Sequence, residues 1–180
     1  MNELAEIIAA FDELAAQDQP AALALVIGVE GSSYRRPGAR MLIAEDGRTW
    51  GGVSGGCLER DVVRRARGVI ATGRCAIHRY DSADEEEISN GAATGCGGAV
   101  KILIQPISQQ SPGPIPAIKE ALQSRRTIRL GTIIRRGDLH LHIGDHVVLK
   151  SQAGPSGPGH PDVNVRLVED DVSKLSNDDF

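Results

Sequence analysis

Residues 23–44 read Leu23-Ala24-Leu25-Val26-Ile27-Gly28-Val29-Glu30-Gly31-Ser32-Ser33-Tyr34-Arg35-Arg36-Pro37-Gly38-Ala39-Arg40-Met41-Leu42-Ile43-Ala44. Two short apolar runs flank a polar, glycine-punctuated loop. Continuous apolar runs of this length, without polar alternation, predict strands buried on both faces. The loop then leaves the end of a buried strand, where α/β sheets commonly bind ligands. Ser32 and Ser33 offer hydroxyls, Arg35, Arg36 and Arg40 offer cations, and Pro37-Gly38 stiffens the turn. Such a set can clamp an oxyanion. A hairpin loop with solvated arginines is the competing reading, of equal weight.

On the N-terminal side, Leu4, Ile7, Ile8, Phe11, Leu14 and Ala15 form one helical stripe, closed by Pro20. On the C-terminal side, Asp46-Gly47 signals a tight turn into Thr49-Trp50-Gly51. Gly52-Val53-Ser54-Gly55-Gly56 then reads as a strand-to-helix turn. A helix from Cys57 to about Ala71 follows, ended by Gly73. Residues 75–80 read as a strand, and Ser82-Ala83-Asp84-Glu85 opens a short acidic helix that Asn90-Gly91 stops. Gly91–Gly98 is a second glycine-rich stretch ahead of a strand at 100–105. A helix near 116–125 precedes strands at 127–134 and 139–149. The expected fold class is α/β, a mixed β-sheet with flanking helices. It should form a single compact domain over 1–150, followed by a Gly/Pro linker and a mobile acidic tail over 151–180. Val163, Val165 and Leu167 alternate and offer, instead, a strand added to a sheet edge.

The 180 residues carry 20 Lys+Arg against 24 Asp+Glu, a net charge of −4. Residues 161–180 hold six acids and two bases, so the body of the chain is neutral. A neutral body excludes a general nucleic-acid binder, which needs a net basic face. Sixteen of the 20 bases are arginine, and arginine presents planar forks suited to oxyanions. Twelve of the 21 glycines fall within 28–56 and 91–98, which points to backbone that turns sharply or approaches something closely. The start lacks a basic leader-like segment and the longest apolar run, Ala21–Val29, is far short of a membrane span. A cytoplasmic protein with reduced thiols and no membrane partner is expected.

Three cysteines, Cys57, Cys75 and Cys96, make an odd count. Cys57 is expected in the first helical turn, where the helix dipole lowers a thiol pKa. Glu59 and Asp61 oppose that shift, while Arg60 and Arg64 support it. Cys96 lies between Gly95 and Gly97, with little cover from its neighbours, which suits a thiol that meets a ligand or another sulfur. Both cysteines also have a plain structural reading, as small side chains under tight turns. Cys75 is expected in the core or at a strand edge. His140, His142 and His146 have only a weak zinc-like spacing and read as a solvated strand face.

Three stretches taken together resemble the xanthine dehydrogenase accessory protein family (XdhC/CoxI). They are Ala24–Val29 with Gly31-Ser32-Ser33-Tyr34-Arg35-Arg36-Pro37-Gly38-Ala39-Arg40-Met41, then Gly52-Val53-Ser54-Gly55-Gly56-Cys57-Leu58-Glu59, then Gly95-Cys96-Gly97-Gly98. Tyr80-Asp81 and the acid run lie between the last two. The resemblance is to the family's N-terminal domain and covers about residues 20–107. It implies a non-enzymatic chaperone that binds molybdenum cofactor, as molybdopterin or its dinucleotide form, as cargo. Such a factor protects the cofactor during sulfuration by a cysteine desulfurase and assists insertion into the apo-subunit of a xanthine dehydrogenase or carbon monoxide dehydrogenase-type molybdenum hydroxylase. The residues implied in cofactor binding are Ser32, Ser33, Arg35, Arg36, Arg40, Ser54, Gly55, Gly56, Cys57, Glu59, Gly95, Cys96 and Gly97, with Cys57 and Cys96 as candidate metal ligands. A homodimer is expected. Many family members continue into a Rossmann domain; here either a separate chain supplies that half or the N-terminal domain acts alone. The alternative is a small cysteine-dependent redox or sulfur-transfer enzyme using Cys57 and Cys96.

Overall fold

The structure is a computed structural model that describes residues 3–81, 98–124, 128–135, 142–149 and 163–168. The chain falls into two compact units, Met1–Ile115 and Pro116–Phe180. The α/β class expected from the sequence is the class that forms, and the strands of each unit pair within that unit.

The first unit is built on strands β1 (Ala21–Glu30), β2 (Arg40–Ala44), β3 (Thr49–Gly51), β4 (Ala76–Asp81) and β5 (Ala99–Ile107). Their order is β3-β2-β1-β5-β4 and every pair is antiparallel. The two apolar runs of the opening stretch are β1 and β2, paired from Ala21↔Ala44 to Leu25↔Arg40. Asp46-Gly47 makes the β2–β3 turn, with Gly47 at φ +96° and its amide donating to the Ala44 carbonyl. β1 slips register against β5 between Val26 and Gly28. Such a bulge re-aims the end of the strand, and the arginine-rich loop leaves from that end.

Both sheet faces are covered, which explains why β1 and β2 lack polar alternation. Helix α2 (Glu59–Thr72) lays Val62, Ala66 and Val69 on Ala22, Ala24, Val26, Met41, Ile43, Tyr80, Val100, Ile102 and Ile104. Gly73, at φ +65°, ends α2 by donating its amide to the Val69 carbonyl. Helix α1 (Glu3–Ala16) buries Ile7, Ile8, Ala10, Phe11 and Leu14 and packs along β2 and β3. Burying a side chain of this size contributes about 1.5–3 kcal/mol, so the two apolar helical stripes carry much of the cohesion of this unit.

The second unit contains helix α3 (Ile115–Ser124, whose first residue closes the first unit) and strands β6 (Ile128–Ile133), β7 (His146–Leu149) and β8 (Val163–Val168). β6 is central, antiparallel to β7 and parallel to β8, so this sheet is mixed. Within the tail, the strand alternative holds for residues 163–168, which pair from Ile128↔Val163 to Ile133↔Val168. Alternating apolar residues beside an unpaired strand edge provide the ladder partner that a composition-based reading of disorder overlooks. The acidic helix expected after Ser82, the stretch Gly91–Gly97 and the linker lie outside the described residues. No helix among the described residues is long and apolar enough to cross a membrane.

Candidate functional site

Loop 31–39 and turn 52–58 meet at one end of the first unit. Gly52 is adjacent to β3 and donates its amide to the Arg40 carbonyl, 2.9 Å away. Gly51, at φ +77°, approaches so closely that a Cβ there would sit 2.5 Å from the Arg40 carbonyl oxygen. Only glycine fits both demands.

Turn 52–58 binds a carboxylate, and the carboxylate belongs to the chain. Glu59 folds back so that the Ser54 amide donates to Oε1 at 2.9 Å and the Ser54 hydroxyl donates to Oε2. The amides of Gly56 (3.1 Å) and Leu58 (3.2 Å) donate to Ser54 Oγ in turn. Glu59 therefore occupies the place that a helix N-terminus offers to an anion. Burial pushes its carboxyl pKa up, but the Ser54 hydroxyl and amide outweigh this and hold it below the usual value. Ser54→Ala removes the acceptor for two amides and is expected to cost about 1–2 kcal/mol, measured by urea unfolding.

This geometry corrects the placement of Cys57. It was expected inside the first helical turn, but α2 starts at Glu59 with Leu58 as its N-cap. The Ser54 hydroxyl, by accepting from the Leu58 amide, sets the N-cap one residue and the helix start two residues beyond the cysteine. Cys57 is half-buried and its Sγ lies 3.7 Å from Ser54 Oγ. Cys96, with Gly95 and Gly97, lies outside the described residues. Among the described residues no group of three or more His, Cys, Asp and Glu gathers as a metal site. His142, from the weak zinc-like set, is exposed and donates its amide to Asp145. Cys75 is half-buried just before β4, as expected.

The three arginines of the loop have different surroundings. Arg36 is exposed. Arg35 pairs with Glu3 of α1 at 2.9 Å, and its Nη2 lies 3.3 Å from where a Cβ of Gly52 would be. Arg40 is 4% exposed. Its Nη1 donates to the Gly38 carbonyl at 2.8 Å, but its buried Nη2 has no hydrogen-bond partner among the described residues. Burial lowers the pKa of Arg40 to about 10, so the group stays cationic at neutral pH. No carboxylate among the described residues offsets that burial. Ser32 is exposed, and Ser33 accepts from the Arg35 amide through a long contact of 3.4 Å.

Three features of this region carry no local sequence signal. Glu3 steadies Arg35 from 32 residues away. Gly98 closes on the loop from the β5 side: a Cβ there would lie 2.5 Å from the Glu30 carbonyl and collide with the backbone of Ser32. Beneath the site, buried Asp61 accepts from Arg64, from Arg65 at 2.5 Å and from the Tyr80 hydroxyl at 2.9 Å. Arg65 also reaches His78 Nδ1 at 3.0 Å. Arginine only donates, so this nitrogen accepts and the imidazole is neutral. Burial and the Arg65 charge both lower the His78 pKa.

The fold and the loop cluster define an α/β domain with a glycine-built, arginine-bearing end in which a buried arginine has no counter-ion among the described residues. The XdhC and CoxI family model matches residues 14–81, which hold β1 to β4, the arginine loop and the Ser54–Glu59 turn. The chain is 32% identical over 117 residues to a Bacillus subtilis protein described as a probable component of xanthine dehydrogenase, covering 65% of this chain and 36% of that protein. It is 30% identical over 110 residues to the molybdenum cofactor insertion chaperone PaoD of Escherichia coli, covering 61% and 33%. A crystal structure described as a xanthine dehydrogenase from Bacillus halodurans superposes with a TM-score of 0.57 at 35% identity, covering 68% of this chain and 37% of that one. The match to the XdhC and CoxI family model covers 68 of the 180 residues. The chain spans about a third of the length of the curated relatives it matches.

Proposed function

We propose that the chain is an accessory factor for the maturation of a molybdenum hydroxylase, holding molybdenum cofactor as cargo before its insertion. The observation that carries this reading is Arg40 Nη2, a buried cationic donor without a partner among the described residues. A buried unpaired charge costs several kcal/mol, and a phosphate-bearing cargo would complete it. Arg40 would hold the anionic end, with Arg36 and the Ser32 hydroxyl free at the rim. Arg35 is preset by Glu3, and the Glu59 carboxylate keeps the 52–58 turn in shape. The half-buried Cys57 thiol is a soft donor that suits molybdenum or its sulfur. PaoD, named as a molybdenum cofactor insertion chaperone, supports the same reading. The partners that follow are the apo-subunit of the hydroxylase and the cysteine desulfurase that installs the terminal sulfur, with binding and protection, not turnover, as the chain's own part.

The test uses the purified chain and isolated molybdenum cofactor, with retention measured after gel filtration. Arg40→Met should weaken retention about tenfold or more, as expected for losing a charge-assisted hydrogen bond of about 1.5–3 kcal/mol. The same variant should unfold at an equal or higher temperature, because it removes an unpaired buried charge. Undiminished retention in Arg40→Met, or none in the wild type, overturns the reading.

A further inference from the structure

We infer that Tyr34 is the stacking platform for the planar heterocycle of the ligand held at this site, an inference that rests on the function proposed above. Tyr34 is 73% exposed, the most exposed large apolar side chain described. The chain has few aromatic residues. Phe11 and Tyr80 lie in the core and Trp50 is half-buried under the Arg48 guanidinium. Tyr34 alone of these four holds its ring out in water.

The ring is also seated. A Cβ at Gly55 would lie 3.1 Å from both Cγ and Cδ2 of Tyr34 and 3.5 Å from Cε2. Three consecutive ring atoms at nearly equal distance place Gly55 over the ring face, because an edge-on approach would leave Cε2 well outside the other two. One face of Tyr34 therefore lies against Gly55, and the side chain is otherwise largely exposed among the described residues. Gly55 does not have a positive φ, so its conformation does not demand glycine. The seat of the ring favours it, since a methyl group there would push the aromatic ring aside by a few tenths of an ångström.

An exposed aromatic ring backed by glycine binds planar heterocycles by stacking. Its neighbours select which kind. Arg35 and Arg36 follow directly in the chain, and Arg40, whose Nη2 has no partner among the described residues, closes the same loop. A planar heterocycle carrying a phosphate meets both demands, the ring on Tyr34 and the anion toward the arginines. A pterin phosphate belongs to this class. In this arrangement Tyr34 sets ring selectivity and the arginines set charge selectivity, so each can be removed separately.

The experiment titrates the full chain with a metal-free pterin phosphate, followed by quenching of pterin fluorescence, and in parallel with isolated molybdenum cofactor. Tyr34→Leu should bind both about tenfold more weakly, and Tyr34→Trp should bind as well as the wild type. Gly55→Ala should weaken binding by displacing the ring, with an unchanged far-ultraviolet circular dichroism spectrum. Cofactor binding that is equal in the wild type and Tyr34→Leu overturns this inference and leaves the proposed function standing. Failure of the wild type to bind either ligand overturns both.

Discussion

Gly98→Ala is expected to destabilise the first unit by about 3 kcal/mol or more, at the upper end for overpacking. The added methyl would meet the Glu30 carbonyl oxygen at 2.5 Å, the Ser32 amide nitrogen at 2.8 Å and the Ser32 carbonyl oxygen closer still. All three are backbone atoms, and none can swing aside as the end of a side chain could. Glu30 is the last residue of β1, paired with Ala99 next to Gly98. Relief would therefore have to separate β1 from β5 or push loop 31–39 outward. Urea unfolding followed by circular dichroism should show a clearly lower midpoint. Because the same loop carries Tyr34 and Arg35 and leads directly into Arg40, cofactor retention should fall as well. An unchanged midpoint would show that the backbone yields here, and the account of Gly98 would be wrong.

Asp61→Ala should cost about 1–3 kcal/mol, the range for leaving a buried hydrogen-bond donor unsatisfied, because Arg64 and Arg65 keep access to water. It leaves Arg65, Arg64 and the fully buried Tyr80 hydroxyl without their common acceptor. Tyr80→Phe deletes only one neutral donor and should cost about 1 kcal/mol. The pH dependence follows from the same group. Burial pushes the Asp61 carboxyl pKa up, but hydrogen bonds from Arg65 and Tyr80 and the charges of Arg65 and Arg64 pull it down further. A carboxyl whose pKa is lower folded than unfolded adds stability above its unfolded value of about 4. That contribution is lost as pH falls through the folded value. Thermal midpoints of the wild type should therefore drop on acidification below about pH 4, and those of Asp61→Asn should drop less. Parallel acid limbs in the two proteins would remove Asp61 as the cause.

Cofactor loading and stability are expected to move in opposite directions at Arg40 and together at Gly98. This contrast separates a residue retained for a ligand from one retained for the fold. Proteins commonly hold such unfavourable groups at functional sites.

Much of the fold was legible in short stretches. The unbroken apolar runs at 23–29 and 41–44 announced strands buried on both faces; α2 packs on β1, and α1 packs along β2 and β3. Asp46-Gly47 and Gly73 marked a turn and a helix end through the same left-handed geometry that is found there. The family resemblance was legible too, because its ordered motifs recur as residues in sequence. The start of α2 was misplaced to Cys57, since composition does not reveal which hydroxyl takes the first free amide. Ser54 takes it, from four residues upstream.

The sequence by itself determined most of the elements, the α/β class and the family resemblance, because periodicity and turn chemistry act over a few residues. Tertiary structure decided which polar groups remain available. Glu59 turned out to satisfy the glycine-rich turn from within, and Glu3 to hold Arg35 from α1. Arg40 turned out to be buried with a donor to spare, and Gly55 to seat Tyr34. These outcomes depend on where separate segments meet once both sheet faces are covered. No local pattern encodes the distance between groups brought together by packing, and that distance determines which cation is left without a partner among the described residues.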